Sequence, residues 1–383
     1  MENKLFGDLV KAYRLQRGWN QQELADRWGF SREYVSLIER GKRKLGQDEQ
    51  LQRLIDILGI PPEKLEAAGR HMPKMKAAPI QPADGDDALF HAILSPAQAT
   101  IKLSWIVWNA DNSTPDIVTN LEKLVLQLED AFTKYRGQFV RPAQELEAYA
   151  HEMLGKIAFD HLRLPEASLH FQEMLELGEE LQDPDIITLA MTHQADLLRK
   201  RSRYETSFRR FAMAQPWAMK ASPFVRGTWY KVQARAYSVY GDEQSFLRNI
   251  DEAQNIVENT PRTLDTLSNQ FDLVEVLQEK AQGHTILWQP LKALDIYAIT
   301  DTLRPFRPLR DMGSYTIVKA QAYTYAGETD EGVKYAIRGL EMAQQYQSKR
   351  HISRIQGMYD RLSVTPLGRS AKMKELHTAL VEK

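Results

Sequence analysis

Apolar residues recur at intervals of three and four along nearly the whole chain, and sustained every-other-residue alternation is absent, so the predicted fold class is all-α. Leu5, Leu9, Ala12 and Tyr13 form a first helical stripe that ends at Gly18, a natural C-cap position. Asn20-Gln21-Gln22-Glu23 is a capping box, in which Asn20 caps a helix and Glu23 reaches back to it. That second helix carries Leu24, Ala25 and Trp28 on one face and stops at Gly29. Ser31 caps a third, running from Arg32 to Arg40 with Val35 and Ile38 turned inward and Gly41 closing it. Leu51, Leu54, Ile55 and Leu58 mark a fourth helix, and Pro61-Pro62-Glu63 opens a last turn at Leu65. Residues 1–68 are thus expected to form a five-helix domain.

The pattern then lapses. Residues 69–98 contain Pro73, Pro79, Pro82 and Pro96 among small residues, and are expected to be an inter-domain linker. From 99 to 383 helical spacing returns and repeats itself. Five units each have a small residue in mid-helix, an apolar or aromatic residue three later, a turn, and a second apolar stripe. The small residues are Gly155, Ala195, Ala234, Ala281 and Ala320, separated by 40, 39, 47 and 39. A period of this size means stacked supersecondary units, with atypical helices at 100–137 and 346–381 capping the ends.

Composition narrows the chemistry. The chain has no cysteine, which removes disulfides, thiolate nucleophiles and Cys-based zinc sites. No apolar run approaches the length of a membrane span, and the charged N-terminus lacks the apolar core of a signal peptide; a cytoplasmic protein without membrane contact is expected. No phosphate-cradling glycine motif is present, and His151-Glu152 lacks the second histidine of a zincin helix because Gly155 stands there. No enzyme, metal site or cofactor is expected. Charge is uneven: residues 1–76 carry 15 Lys/Arg against 11 Asp/Glu, whereas the remainder carries 35 against 40. A basic head on an acidic body points to an anionic partner for the head alone.

The stretch RLQRGWNQQELADRWGFSREYVSLIERGKRK, with small Ala25, a glycine at the turn and the closing Ile38-Glu39-Arg40-Gly41, resembles the lambda-repressor-like (Cro/XRE-type) DNA-binding domain over residues 3–68. The resemblance implies that Gln21 donates to a phosphate of double-stranded DNA and that Arg32, Glu33 and Ser36 face base edges in the major groove. Arg40, Lys42, Arg43 and Lys44 would lie along the backbone. Arg14 and Glu39 match a structural pair between the first and third helices. Trp28 is expected in the core; Tyr34 is a candidate contact to a thymine methyl or the backbone.

The body resembles tetratricopeptide (TPR) repeats, with a longer period than that family's. On that template Lys156, Arg199, Lys231, Arg235, Gln278, Gln282 and Gln321 face the concave groove of an α-solenoid. Basic and amide side chains suit an extended peptide. A lambda-repressor-like head on a TPR-like body resembles the peptide-pheromone receptors of the Rgg, PlcR, NprR and PrgX kind. The resemblance implies a homodimeric transcription regulator controlled by a short signalling peptide, as in quorum sensing. The alternative is a DNA-binding protein whose repeats dock a partner protein without a small effector.

Overall fold

A computed structural model of the chain describes residues 2–28, 30, 32–43, 48–61, 64–65, 84–110, 114–134, 139–260, 271–303 and 307–381. Every element of regular structure among them is helical. The chain divides into two compact units, Met1–Gln81 and Pro82–Lys383.

The head contains α1 (Glu2–Gln16), α2 (Gln21–Trp28), α3 (Arg32–Glu39) and α4 (Asp48–Leu58). The capping box forms as its residues dictate: the Asn20 N–H donates to Glu23 Oε2 at 2.7 Å, and the Glu23 N–H donates to Asn20 Oδ1 at 3.0 Å. Gly18 and Gly41 end α1 and α3 with φ of 72° and 66°, which only glycine adopts without strain. Gly29, Ser31 and Pro62-Glu63 lie outside the described residues. Leu24, Ala25, Trp28, Val35, Ile38, Leu54 and Leu58 close one core.

The stripe on α1 differs from expectation. Leu5 is 51% exposed, and the inward face is Phe6, Val10 and Arg14. Gly7 sets this phase: a Cβ there would lie 2.3 Å from the Ile38 carbonyl oxygen, so α1 meets the backbone end of α3 through Gly7. An apolar count misses such a face because it includes a glycine and an arginine.

The body begins earlier than the composition indicates. Helix α5 runs Asp84–Ala110 with Pro96 inside it, so the second half of the expected 69–98 linker is helix. Small and prolyl residues weaken a helix there, but burial of Ala97, Ile101, Trp105 and Trp108 outweighs their propensity. Helix α6 (Thr114–Lys134) completes the N-terminal cap. Five antiparallel pairs follow: α7–α8 (Val140–Asp160, Leu164–Leu181), α9–α10 (Pro184–Lys200, Tyr204–Ala218), α11–α12 (Pro223–Tyr240, Glu243–Asn259), α13–α14 (Leu273–Ile286, Pro290–Thr302) and α15–α16 (Leu309–Tyr325, Thr329–Gln345). Helices α17 (Lys349–Ser363) and α18 (Ala371–Val381) close the stack.

These pairs are the five units of the sequence. Each small anchor is buried, and at Gly155 the ring of Phe171 packs so near that an added Cβ would meet it at 2.4 Å. Seven residues after each anchor, the turn between paired helices holds a residue in the left-handed region: Leu162, Ser202, Gly241, Trp288 and Gly327. The next N–H then bonds back to the carbonyl three residues past the anchor, as in Arg163 to Ala158 at 2.8 Å and Asp242 to Tyr237 at 3.0 Å. Arg203 to Leu198, Gln289 to His284 and Glu328 to Tyr323 repeat it at 2.8–3.0 Å. This is the six-to-one bond of a Schellman turn. The one long interval, 47 residues, contains residues 261–270, which are not described.

Candidate DNA interface and effector cavity

In the head, Arg14 and Glu39 join α1 to α3 through a forked pair at 2.5 and 3.0 Å, both side chains almost fully buried. Arg14 also donates to the Trp19 carbonyl at 2.6 Å. Gln21 Nε2 donates to Glu39 Oε2 at 2.8 Å, so the amide expected on a phosphate is tied to the pair that positions α3. Trp28 is in the core. Tyr34 is also buried, stacked on Phe30 at 4.6 Å and packed on Trp28, which corrects its assignment as a DNA contact. Arg43 lies over the Tyr34 ring at 5.0 Å.

With residues 34, 35, 38 and 39 turned inward, Arg32, Ser36 and Arg40 form a stripe along the opposite side of α3. Arg32, Arg40 and Lys42 are exposed, and Ser36 and Arg43 are half-buried. Arg40 Nε bonds to the Ser36 carbonyl at 3.1 Å, which anchors the cation at the C-terminal end of the stripe. The Glu33 side chain and Lys44 lie outside the described residues. A short helix with one face in the core and a polar, cation-bearing face outward is the shape that enters a major groove.

A family described as "Helix-turn-helix domain" matches residues 5–68. The head is a DNA-binding helix-turn-helix domain. No curated protein matches the chain. Among solved structures, the crystal structure of Bacillus thuringiensis PlcR in complex with the peptide PapR7 and DNA is similar at 14% identity and a TM-score of 0.25, covering 100% of both chains. No described helix is long and apolar enough to cross a membrane.

The body encloses a cavity of about 440 Å³, lined by the first helix of every pair and by α5 and α17. Six of the seven expected groove residues share its wall: Lys156, Arg199, Lys231, Arg235, Gln278 and Gln282. Gln321 is not on it, and instead accepts from Arg354 Nε at 3.3 Å. The expected basic and amide lining needs correction, because the wall carries acids matched to most of its cations. Lys231 pairs with Glu275 at 2.5 Å, and Arg235 forks onto Glu279, with Nε 3.0 Å from each oxygen. Asp196 takes Arg199 at 2.6 Å and Arg235 at 3.6 Å. A buried cation without such a partner loses its hydration for nothing. Burial pushes the Glu279 and Asp196 carboxyls up, but these cations outweigh it and hold both below the usual range.

Sequence reasoning missed the acids, although a local signal exists. Lys231 and Arg235 on α11, and Glu275 and Glu279 on α13, share the same four-residue spacing, which lines up two pairs between adjacent first helices.

One cluster had no such signal. Asp160, the last residue of α7, accepts from Arg310 Nη1 at 2.6 Å, Ser348 Oγ at 2.8 Å and Arg350 Nε at 3.2 Å. Arg310 also donates to the carbonyls of Trp108 at 2.8 Å and Tyr346 at 3.0 Å, its guanidinium lying over both their rings. Burial raises the Asp160 carboxyl, but Arg350, His351, Arg310 and Ser348 together hold it below the ordinary value. Residues up to 202 positions apart meet here, so the beginning and end of the helical stack are clasped together beside the cavity.

Proposed function

We propose that the chain is a sequence-specific transcription regulator that binds double-stranded DNA as a homodimer and answers to a small effector, a short peptide, held in the cavity of its helical body. The observation that carries this reading is the pairing of two features in one chain. A helix-turn-helix head has an outward Arg32–Ser36–Arg40 stripe, and a second unit has a polar cavity built from the first helix of every repeat.

A bidentate Arg32 on guanine is worth about 1–3 kcal/mol of discrimination. Dimerisation sets two recognition helices about 34 Å apart, one turn of duplex, so the operator is an inverted repeat. The effector regulates only by binding two states of the dimer unequally. Gln21 acts in this reading through Glu39, orienting α3, with its phosphate contact left to the helix N-terminus.

Operator binding by the full chain, measured with and without peptides encoded beside its gene, tests the proposal. A peptide that changes operator affinity and is blocked by a cavity substitution supports it. A partner protein that binds the body while the cavity plays no part supports the scaffold reading instead.

A further inference from the structure

The charges on the cavity wall do not balance. Its carboxylates are Glu152, Asp160, Asp196, Glu275, Glu279 and Asp311. Five are met by cations: the clasp for Asp160, Arg199 and Arg235 for Asp196, Lys231 for Glu275, Arg235 for Glu279 and Arg307 at 3.6 Å for Asp311. Glu152 bonds instead to His193 at 2.9 Å, and its charge also acts on Lys156. The cations are more numerous. Lys156, Lys200 and Arg354 line the cavity with no carboxylate within ion-pair distance among the described residues.

Two of these three lie together. Lys200 ends α9 and Arg354 is on α17; both line the cavity, and burial, then Arg199, Arg350 and Arg354, lower the Lys200 ammonium against the pull of Asp196. Burial first, then Arg350 and Arg235, bring the Arg354 guanidinium down to about 10, against the opposing pull of Tyr297 and Glu279. Among the described residues its hydrogen bond is the 3.3 Å contact to the amide oxygen of Gln321. A half-buried guanidinium on a cavity wall, with other cations nearby and an amide oxygen as its acceptor, is suited to receive an anion.

We propose that the cavity's ligand carries a carboxylate and that Arg354, with Lys200 beside it, is the seat of that group. This rests on the cavity being the effector site and names the chemistry the effector must have. The two oxygens of a carboxylate, the anionic group that every free peptide C-terminus carries, match the planar donor fork of arginine, leaving the Lys200 ammonium as a second point charge. Lys156, over the Trp105 ring at 5.1 Å, is left for a second polar group. The carboxylate belongs either to the C-terminus of a short peptide or to a free small acid.

The test uses the full chain in chloride buffer of constant ionic strength. Tetraalanine with a free C-terminus, its C-terminal amide, and citrate are each titrated while the thermal midpoint and tryptophan emission are followed. The account expects a saturable rise in midpoint with tetraalanine but not its amide if a peptide end is the source, and with citrate alone if a free acid is. Either response should weaken by about tenfold or more in Arg354→Gln, and several-fold in Lys200→Gln, whose exposed side chain leaves the fold intact. Without ligand, Arg354→Gln should melt no lower than the parent, because it removes an unmatched cation.

No response to either carboxylate, equal binding by Arg354→Gln, or a marked fall in its ligand-free midpoint overturns the proposal. Operator binding is read on the same samples. Carboxylate binding that leaves operator affinity unchanged refutes the effector reading and not the seat.

Discussion

The head and the body use the same residue types in opposite ways. In the head the structural electrostatics are concentrated at Glu39, which collects Arg14 and Gln21, while Arg32, Arg40 and Lys42 are exposed. In the body Lys231, Arg235, Arg199 and Arg310 line a cavity, and each of the four is met by a carboxylate. An outward cation is available to any polyanion, and the phosphate backbone of DNA is the densest one. Inward cations select, because their partner must fit a cavity and displace nothing already paired. The contrast teaches that the head's charge is read by counting and the body's only by accounting for partners.

The largest blow to the body should come from Arg310→Ala. It removes the clasp's central cation and leaves Asp160 buried with Arg350 and Ser348 alone, costing about 3–5 kcal/mol, the usual loss when one member of a buried pair is deleted. Urea unfolding followed by tryptophan emission checks it; a loss below about 1 kcal/mol would mean that the clasp is incidental. The matching change in the head is Glu39→Gln, expected to cost about 3 kcal/mol by stranding buried Arg14. It should abolish DNA binding while leaving the body's transition in place. A single merged transition that moves with it would break the division drawn here.

Acid sharpens the comparison. Burial, with Arg163 adding to it, lowers the His170 imidazole to about 4 from its ordinary 6.5, and burial likewise depresses His193 and His351. A depressed histidine is neutral in the fold and charged when unfolded. Its contribution is therefore complete above pH 6.5 and is lost as pH falls from 6.5 toward 4. The body should weaken with acid over that window, by up to about 1.4 kcal/mol per pH unit for each histidine. His170→Gln should remove one proton's worth of that slope; an unchanged slope would contradict the assignment. The smallest effect is at the repeat turns. Gly241→Ala places a Cβ in open space but at φ 94°, so it should cost only the strain, about 1 kcal/mol, and a calorimetric midpoint reads it.

Much of this was legible because it is local. The capping box at Asn20, the glycines at 18 and 41 and the five buried anchors depend on residues whose spacing announces them, whereas the Arg14–Glu39 pair, 25 positions apart, was legible only through the resemblance of the head to a known family. The repeats were legible from size alone, since a small residue in mid-helix has few uses other than a close approach. Tyr34 and Leu5 were misplaced because helix phase depends on what lies opposite: Phe30 and Trp28 in one case, the α3 backbone behind Gly7 in the other. The Asp160 clasp and Arg354 were invisible. The partners of Asp160 are brought round by a full circuit of the solenoid, and Arg354 reaches the cavity from the closing helix α17, where nothing in the neighbouring sequence marks it.

The most direct test of the central claim is selection of bound fragments from the source genome by the full chain, beside Arg32→Ala and Arg40→Ala. The account predicts an inverted repeat enriched by the parent protein, with Arg32→Ala losing discrimination at one base position per half-site and Arg40→Ala losing yield without a change of sequence. Recovery of the same sequence with undiminished yield by both variants would contradict it, because the outward stripe of α3 would then not be the surface that reads DNA.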